Sequence, residues 1–593
     1  MAAHVAPTEQ HSTIDNNEEE RDSTVDVLES SSSSEKEVTT RKSPQRHRCA
    51  YFSWGMLAGA VTMLLLLILV LIVLSYATTI INADDDDSDN ITATTTNTTS
   101  TEGNRHPTGP TEETLQIACQ FVQMNNLSSC QTTTYVNLSS SSIRRTIPTE
   151  IGVLTQLTVL DLHDTQLMGT IPDTMANLTQ LTYLDLYNNT LTGTIPSTLS
   201  QLTQLTYLDV SNNQLTGTIP STMFENLLQL VYFDSWDNRM TGTIPTTIGN
   251  LVMLTDLSLA FNQLMGPIPT EIGLLTQLEY LYGNNNSLTG TIPSALGNLP
   301  MLIDLNLAHN QLIGNIPTEI GLLTQLSSLD CFNNSLTGTI PSSLANLVNV
   351  WYLDLSINQL TGTIPSTLGN IPFLLFMDVS MNQLSGNIPW TLGYLTNMFY
   401  LNLDDNLLTG IIPMALGGMV LLETLHLSIN QLRGTIPSSL GDLVDLTDLD
   451  LSNNQLTGTI PTTLGNLVQL IDLNLDNNQL SGSIPATMGN LVQLTDLRLS
   501  NNLLNGTIPS TLGNLVQLTA LQLYNNQLTG VVPTAFENLM QITYLAVSTN
   551  QLLGTIPWNL CSNTGIAIYI DCDEIFCSCC TAGTSPYNSC PII

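Results

Sequence analysis

Basic residues are scarce in this sequence, and lysine is missing from most of it. The 593 residues include 12 lysines and arginines but 49 aspartates and glutamates, for a formal net charge of −37. After Arg48 there is no lysine, and six arginines stand against 39 acidic residues, which leaves that part with a net charge of −33. Nucleic acids and anionic lipid surfaces are bound through clustered positive charge. The composition therefore argues against both as ligands and favours a cationic ligand or solubility in a salty medium.

Patterns typical of catalysis or metal binding are missing as well. Of the seven histidines, three lie before residue 49, and His106, His163, His309 and His426 show no regular spacing to serine or cysteine. No glycine-rich phosphate loop or kinase signature occurs, and the segment before Cys49 is too short to contain a kinase. We therefore expect no enzymatic activity, no cofactor and no metal, and we expect any signal to pass through a partner.

What the sequence does contain is a repeat of 24 residues. One full cycle, beginning at Leu178, reads LTQLTYLDLYNNTLTGTIPSTLSQ. Eighteen prolines mark the register, at Pro148, Pro172, Pro196 and Pro220 and then at every 24th residue from Pro245 to Pro557, with one extra residue within 223–226. A fixed period of this length indicates a solenoid, in which each repeat buries its apolar face only against its neighbours. We predict a long wall with a continuous surface rather than a globular enzyme with a pocket.

Each position of the repeat has a physical role. Leucines alternate with Tyr183, Asp185 and Tyr187, and a period of two predicts a short strand with the leucines inside and the other residues outside. Asparagine stands seven residues before 16 of the 18 prolines, where its amide can satisfy backbone groups that a turn leaves unpaired. Glycine stands three residues before 17 of them, which indicates a backbone position where a Cβ would be unfavourable. The residues after each proline, such as 197–199, are predicted to form a helical or 3₁₀ turn on the convex side.

These residues are similar to the plant type of leucine-rich repeat, whose consensus is LxxLxxLxLxxNxLxGxIPxxLGxL. The resemblance extends over residues 136–560 in eighteen successive repeats. It implies an α/β leucine-rich repeat solenoid, a right-handed superhelix with a parallel sheet on its concave face and a second short sheet at the TGTIP segment. In that family the concave face binds peptides, hormones, carbohydrates or partner ectodomains. The chain also resembles the acidic, kinase-free leucine-rich repeat proteins of diatoms.

An uncharged run between Arg48 and Asp84 predicts a transmembrane helix at residues 51–77. Residues 54–76 are apolar almost throughout, which is enough to span a bilayer of about 30 Å. A cleaved signal peptide is the alternative, but a long polar segment precedes the run, and the run exceeds a typical signal core. Basic residues precede it and aspartates follow it, so the positive-inside rule predicts a cytosolic N-terminus. We expect a single-pass type II protein of the plasma membrane with its repeats extracellular.

The segments on either side of this span are polar. Residues 1–50 are predicted to be a disordered cytosolic tail and residues 78–114 an acidic stalk rich in Thr and Asn, because neither contains enough apolar residues to form a core. Nine Asn-x-Ser/Thr sequons follow the span and none precedes it, which agrees with the predicted orientation. The predicted glycosylation sites are Asn90, Asn97, Asn126, Asn137, Asn177, Asn188, Asn285, Asn333 and Asn505.

Eight of the ten cysteines lie at the two ends of the repeat region. We predict an N-terminal cap at residues 115–135 and a C-terminal cap at 561–593, closed by disulfides that shield the open ends of the solenoid. The pairing of the six C-terminal cysteines stays open, and a metal cluster there is the alternative. Cys331 takes an inward leucine position and is expected to be a buried thiol, whereas Cys49 is either a lipidation site or a plain thiol. The predicted disulfide cysteines are Cys119, Cys130, Cys561, Cys572, Cys577, Cys579, Cys580 and Cys590.

Aspartates and aromatic residues recur on the outward side of the predicted strands. The position eleven residues before the proline is aspartate in two runs of consecutive repeats. We expect these aspartates to point outward and to repel one another. The alternative is that Leu-Asp-Leu is only a common form of the repeat. Aromatic residues beside them are typical of interaction hot spots. The predicted ligand-binding residues are Tyr183, Asp185, Tyr187, Tyr207, Asp209, Tyr232, Asp234 and Trp236 in a first cluster, and Trp351, Tyr352, Asp354 and Tyr400 in a second.

These features together favour a receptor-like recognition protein that binds an extracellular peptide, glycan or protein and acts with a co-receptor. The first cluster suits a cationic or hydroxyl-rich ligand, because flat apolar rings lie beside carboxylates. A different class of function is a surface protein that adsorbs to ice, mineral or polysaccharide. Threonine stands two residues before 12 of the 18 prolines, and such a row of hydroxyl groups could match a regular surface, although duplication of the repeat explains it equally well.

Overall fold

The computed structural model describes residues 112–561, 565–571 and 575–576 of the chain. Within these residues the chain forms a leucine-rich repeat solenoid built on a long parallel sheet, as the repeat predicts. The tail at 1–50, the helix at 51–77 and nearly all of the stalk at 78–114 lie outside the described residues. Among the described helices, none combines the length and the apolar character needed to cross a bilayer.

The main sheet contains 19 parallel strands of three residues each, one from each of the eighteen repeats and one from the C-terminal end. Equivalent residues pair across neighbouring strands, so that Tyr183 lies opposite Tyr207 and Tyr207 opposite Tyr232. We call the solvent-facing side of this sheet the sheet face. The strands are Tyr135–Asn137, Val159–Asp161, Tyr183–Asp185, Tyr207–Asp209, Tyr232–Asp234, Asp256–Ser258, Tyr280–Tyr282, Asp304–Asn306, Ser328–Asp330, Tyr352–Asp354, Phe376–Asp378, Tyr400–Asn402, Thr424–His426, Asp448–Asp450, Asp472–Asn474, Asp496–Arg498, Ala520–Gln522, Tyr544–Ala546 and Ala567–Tyr569.

A turn of helix follows the repeat prolines, on the side of the solenoid away from the main sheet. Proline fits here because its fixed φ suits the entry to a helix and no partner is needed for its nitrogen. The described 3₁₀ helices are Thr149–Val153, Asp173–Asn177, Ser197–Gln201, Thr246–Asn250, Thr270–Leu274, Ser294–Asn298, Thr318–Leu322, Ser342–Asn346, Ser366–Asn370, Trp390–Tyr394, Met414–Gly418, Ser438–Asp442, Thr462–Asn466, Ala486–Asn490, Ser510–Asn514 and Thr534–Asn538.

The single extra residue of the repeat is absorbed in this helical layer. After Pro220 the turn is an α-helix, Ser221–Asn226, which is one residue longer than its 3₁₀ counterparts. Phe224, in the inserted stretch, is fully buried and packs edge-on against Phe233 at a ring separation of 5.4 Å. The main sheet keeps its register across the insertion, since Asp209 still pairs with Asp234.

A second layer of short parallel strands forms at the TGTIP segment, as the family resemblance implies. It is interrupted and consists of one four-stranded sheet, one six-stranded sheet and several strand pairs. The strands are Met168–Thr170, Thr190–Thr192, Thr216–Gly217, Arg239–Gly242, Gln263–Pro267, Ser287–Thr289, Ile313–Gly314, Ser335–Leu336, Ser385–Asn387, Leu407–Thr409, Arg433–Gly434, Gln455–Gly458, Gln479–Gly482, Leu503–Thr507, Gln527–Gly530 and Gln551–Leu552, and Gly554–Thr555 pairs with Ile575–Phe576.

The core is a continuous column of leucine and isoleucine side chains, bordered by a ladder of buried asparagines. Asn454 is typical: its amide nitrogen lies 2.9 Å from the carbonyl oxygen of Leu427, 3.3 Å from that of Leu451 and 3.0 Å from that of Ser452. Its carbonyl oxygen accepts the backbone N–H of Leu432 at 2.9 Å. Each ladder asparagine thus ties its own turn to the preceding repeat, and the predicted role of this position is confirmed.

The repeat glycine is required both by its backbone conformation and by close packing. Gly193 has a φ of +80°, and a Cβ built on it would lie 2.8 Å from the methyl carbon of Thr170 in the preceding repeat. Such a φ is unfavourable for residues with a side chain. The threonine two residues before the proline therefore has a packing role, because its methyl group covers the next glycine.

The N-terminal end is closed by two helices, Glu112–Phe121 and Leu127–Gln131. Cys119 and Cys130 form a disulfide between them, and both are buried. At the other end a short helix, Trp558–Cys561, precedes the last main-sheet strand, Ala567–Tyr569. Cys572, Cys577, Cys579, Cys580 and Cys590 lie outside the described residues. Cys331 is a buried free thiol, as its leucine position predicts.

Candidate ligand-binding face

Three tyrosines on consecutive strands form a stack on the sheet face. The rings of Tyr183 and Tyr207 lie 4.2 Å apart with 12° between their planes, and those of Tyr207 and Tyr232 lie 4.4 Å apart with 5° between them. The stack arises because the in-register sheet places equivalent residues about 4.8 Å apart. Tyr187 and Trp236 lie two residues after the strand aspartates and are half-buried. The structure thus brings the eight residues of the first predicted cluster onto three neighbouring strands, and we call them the first patch.

The strand aspartates raise one another's pKa, as the expected repulsion implies, but most of them are buried rather than freely exposed. Asp185 and Asp209 are each only 6% exposed, and Asp161, Asp354 and Asp378 are each 8% exposed. In Asp209 one carboxylate oxygen accepts the backbone N–H of Ser211 at 2.9 Å, and the other receives the Tyr207 hydroxyl at 3.4 Å. The aspartates accept a backbone N–H from the turn that follows each strand, and Asp185, Asp209 and Asp234 also accept the hydroxyl of the tyrosine on their own strand. They therefore have a structural role as well as a charge.

This burial changes the acidity of the first patch. Burial raises the pKa of Asp209 to about 7, against hydrogen bonds from Ser211 that lower it, and the charges of Asp234 and Asp185 raise it further. Burial, followed by the charge of its own aspartate, raises the pKa of each stacked tyrosine well above its usual range. The tyrosine hydroxyls therefore stay protonated, and Tyr183 donates to Asp185 at 3.0 Å.

The second predicted cluster is built on the same plan. The ring of Phe376 lies between Tyr352 and Tyr400, at 4.5 and 4.3 Å, with the planes within 11° of parallel. Trp351 lies edge-on to Tyr352 at 5.7 Å and is 44% exposed. Burial, followed by the charge of Asp378, raises the pKa of Asp354 to about 7. We call Trp351, Tyr352, Asp354, Phe376 and Tyr400 the second patch.

The two patches are separate. Four strands lie between Tyr232–Asp234 and Tyr352–Asp354 in the main sheet. Phe376, the centre of the second stack, stands 24 residues from both Tyr352 and Tyr400, so the repeat spacing already associates it with this cluster. The prediction missed a group of acidic residues on strands further along, around His426 and Arg498. These residues occupy several different positions of the repeat. Comparing one repeat position at a time along the sequence therefore does not show them as a group.

One group of described residues has the geometry to hold a metal ion. Asp161, His163 and Asp185 each offer a ligand atom, and these atoms lie within 4.8 Å of one another. Their atoms already have protein partners: His163 Nδ1 lies 2.7 Å from Asp161, and Asp161 also accepts from Asn137 at 2.9 Å. Sequence spacing did not indicate this group, because it joins two different repeats.

The sequons lie on several sides of the solenoid. Among the described ones, Asn126, Asn137, Asn177, Asn188, Asn333 and Asn505 are exposed and Asn285 is half-buried. Asn188, Asn285 and Asn333 have positive φ values of 51–54° and lie just after the main strands. Glycans at these three positions would border the sheet face. Asn90 and Asn97 lie outside the described residues.

The threonine row is a poor match to a flat adsorbing surface. Its methyl groups cover glycines of the next repeat, as at Thr170 and Gly193. Six other residues also interrupt the row: Pro267, Asn315, Asn387, Ile411, Ser483 and Val531.

Comparison with known proteins places this architecture in a family. Models described as leucine-rich repeats match residues 155–215, 422–480, 444–504 and 492–552, and also 325–347 and 349–371. No curated protein sequence matches the chain significantly.

Three solved structures illustrate the likeness. The plant peptide hormone receptor RGFR1 in complex with RGF2 is 35% identical, with 74% of this chain and 70% of that chain covered and a TM-score of 0.68. The ectodomain of the Arabidopsis receptor kinase HAESA, in complex with an IDA peptide hormone ligand, is 32% identical over 73% of this chain and 78% of that chain, with a TM-score of 0.62. A leucine-rich repeat protein of Leptospira interrogans is 30% identical over 68% of this chain and 95% of that chain, with a TM-score of 0.51. The chain belongs to the leucine-rich repeat family, and its solenoid is similar to the ectodomains of plant receptors.

Proposed function

We propose that this chain is a membrane-anchored extracellular recognition protein that binds a peptide through the sheet face and acts with a co-receptor. The two stacks of aromatic rings carry this proposal. The fold does not require them, since the position of Tyr207 is filled by Asp256, Ser328 and Ala520 in other repeats of the same sheet. Rows of half-buried rings offer apolar contact at a small cost in side-chain entropy.

A peptide is favoured over a carbohydrate or a folded protein by the relatives. RGFR1 and HAESA are described with peptide hormones bound, and HAESA also with the co-receptor SERK1. In this chain the stacked rings would hold apolar side chains of a peptide, and the hydroxyl oxygens of Tyr207 and Tyr352, which donate to Asp209 and Asp354, would accept hydrogen bonds from its backbone. Glycans and protein partners are the other ligand classes.

Peptide and glycan arrays probed with the full-length chain test this function. We expect selective peptide hits that are weakened by Tyr207→Ala or by Tyr352→Ala. Tyr544→Ala is the matched control, because it removes a tyrosine from the same column outside both patches. Hits that persist in both patch variants, or hits confined to glycans, would contradict the proposal.

The anchoring is a separate part of the proposal. The apolar run at 51–77 would form one transmembrane helix, with the basic residues before it in the cytosol and the repeats outside, so that the chain is a type II protein of the plasma membrane. Protease protection in microsomes with an N-terminal tag measures this orientation. We expect the tag to be digested and the repeats to be protected, and a protected tag would reverse the assignment.

A further inference from the structure

Beyond the second patch, the sheet face carries an excess of carboxylates. Five consecutive strands, from Tyr400–Asn402 to Asp496–Arg498, contribute them together with the turns that follow. We call this group the acidic groove: Asp404, His426, Asp448, Asp450, Asp472, Asp476, Asp496 and Arg498. Six carboxylates there face two cationic side chains.

The two cations lie on the second and the fifth of these strands. His426 Nε2 lies 3.1 Å from Asp448, and its Nδ1 lies 3.7 Å from Asp404. Arg498 forms an ion pair with Asp496 and lies 3.5 Å from Asp472. The side chains remain accessible, with Asp448 41% and Asp472 29% exposed. A cation from solution can therefore reach carboxylates that the internal pairs leave only partly neutralised.

Burial, with a smaller contribution from neighbouring carboxylates, changes the pKa values in the groove. Burial raises the pKa of Asp404 and of Asp476 to about 7 and that of Asp472 to about 6, even though His426 or Arg498 acts to lower each. Burial acts to lower the pKa of His426, but the hydrogen bond and charge of Asp448, with the charges of Asp404 and Asp450, raise it to about 9. The groove therefore carries its full negative charge only above about pH 7, where six carboxylates outnumber the two cations.

A buried serine hydroxyl without a partner lies at the same place. At Ser211 and Ser356 the hydroxyl donates to the aspartate two residues earlier, at 2.5 and 2.6 Å. At the equivalent Ser500 that earlier residue is Arg498, which offers no acceptor, and the Ser500 Oγ has no hydrogen-bond partner although the residue is 0% exposed. The Ser500 backbone N–H donates to Asp476, so this hydroxyl lies at the acidic groove. A buried hydroxyl left unpaired is unfavourable.

We propose that the acidic groove binds a basic peptide segment, whose lysine or arginine side chains pair with Asp448, Asp472 and Asp404. This rests on the proposed recognition function and names the ligand class for a part of the sheet face outside both aromatic patches. Guanidinium and ammonium groups form charge-assisted hydrogen bonds with carboxylates, and neighbouring strands present such carboxylates about 4.8 Å apart.

Fluorescence anisotropy of a labelled peptide with arginine and glycine in alternation, (Arg-Gly)₄-Arg, titrated with the full-length chain at physiological salt, tests the inference. We expect the double variant Asp448→Asn/Asp472→Asn to weaken binding by about tenfold or more. The control Glu271→Gln/Glu319→Gln removes the same charge from the helical side of the solenoid. An equal loss in the control would show that only the net charge attracts the peptide and would overturn the inference.

A second variant changes affinity in the opposite direction. Arg498→Gln frees Asp472 and Asp496 and should tighten binding of the same peptide several-fold. Lowering the pH from about 8 to about 5 should weaken binding, because Asp404, Asp472 and Asp476 take up protons in that range while His426 and Arg498 stay charged and Tyr400 stays neutral. Absence of both effects would overturn the inference.

The outcome for the aromatic patches separates this inference from the proposed function. If Tyr207→Ala and Tyr352→Ala abolish binding of the arginine peptide while the groove variants do not, the groove assignment fails and the patches keep their role. If the arginine peptide does not bind at all, the groove assignment fails as well, whereas the array experiment still decides the function of the patches.

Discussion

The ring of Tyr207 lies 4.4 Å from the ring of Tyr232, and their planes are within 5° of parallel. Because Tyr183 stacks on the other side, Tyr207 is the central member of the first patch. A stacked pair contributes about 0.5–1.5 kcal/mol beyond area burial. We therefore expect Tyr207→Ala to lower the free energy of unfolding by about 1–3 kcal/mol, measured by denaturant titration. Tyr207→Phe should lower the free energy of unfolding only slightly. The control is Tyr187→Ala, which removes an unstacked ring.

Stability should fall as the pH rises through neutrality. The pKa values of Asp209 and Asp354 are raised to about 7 in the folded state, so the stabilisation from their protonation is complete below the unfolded pKa of about 3.9 and is lost as pH rises through about 7. The raised pKa of His426, about 9, acts in the same direction above its unfolded value of about 6.5. We expect a higher melting temperature at about pH 5 than at about pH 8, and the reverse order would contradict these assignments.

Asp209→Asn separates the charge from the hydrogen bonds. The asparagine keeps an acceptor for the Ser211 backbone N–H but adds no buried charge, so stability near pH 8 should be unchanged or slightly raised and its pH dependence reduced. Truncation of the neighbouring core residue, Leu208→Ala, should instead destabilise by about 2–5 kcal/mol at both pH values. An Asp209→Asn variant that melts far below the wild type would show that the charge itself is needed.

Alanine substitution in the asparagine ladder is expected to lower the free energy of unfolding far more than alanine substitution of other asparagines. Asn454→Ala leaves the Leu432 backbone N–H without a buried partner and removes one of two hydrogen bonds from each of three carbonyl oxygens, which keep other donors. The expected loss is about 1–3 kcal/mol, the cost of one unpaired buried group. Asn466, exposed at the end of a 3₁₀ helix in the same repeat, should tolerate alanine with little change. Similar melting of the two variants would refute the role of the ladder.

Reduction should loosen the ends of the solenoid before its middle. The Cys119–Cys130 disulfide joins the two capping helices, and terminal repeats have one neighbour instead of two. Hydrogen exchange with and without reductant should show early loss of protection near the strand Tyr135–Asn137 while the strand Tyr352–Asp354 stays protected. Uniform loss across all repeats would contradict this.

The sequence predicts the fold well because the repeat encodes its own contacts. The period locates every strand, the asparagine and glycine positions identify the two constrained points of each turn, and Cys331 is correctly placed in the core. In each case the partner of a residue lies one repeat away, so a single cycle contains most of the information.

The candidate site is harder to predict from the sequence than the fold is. Asp209 is buried because the Tyr207 hydroxyl and a backbone N–H of the following turn both donate to its carboxylate. The alternation of leucine and polar residues predicts neither contact. The acidic groove joins Asp448, Asp450 and Asp476, which occupy three different positions in their repeats. Only the stacking of the repeats reveals that they share one surface.

The helix Ser221–Asn226 shows that the two sides of the solenoid respond differently to a change in chain length. One added residue is taken up entirely on the helical side, and the paired strands beside it keep their register. Insertions in the helical layer can therefore accumulate without displacing a bound ligand. Loss or gain of a whole repeat between Tyr232 and Tyr352 would instead shift the two aromatic stacks relative to each other by about 4.8 Å. In this architecture the distance between the two patches is set by the number of repeats between them, and not by the length of any one repeat.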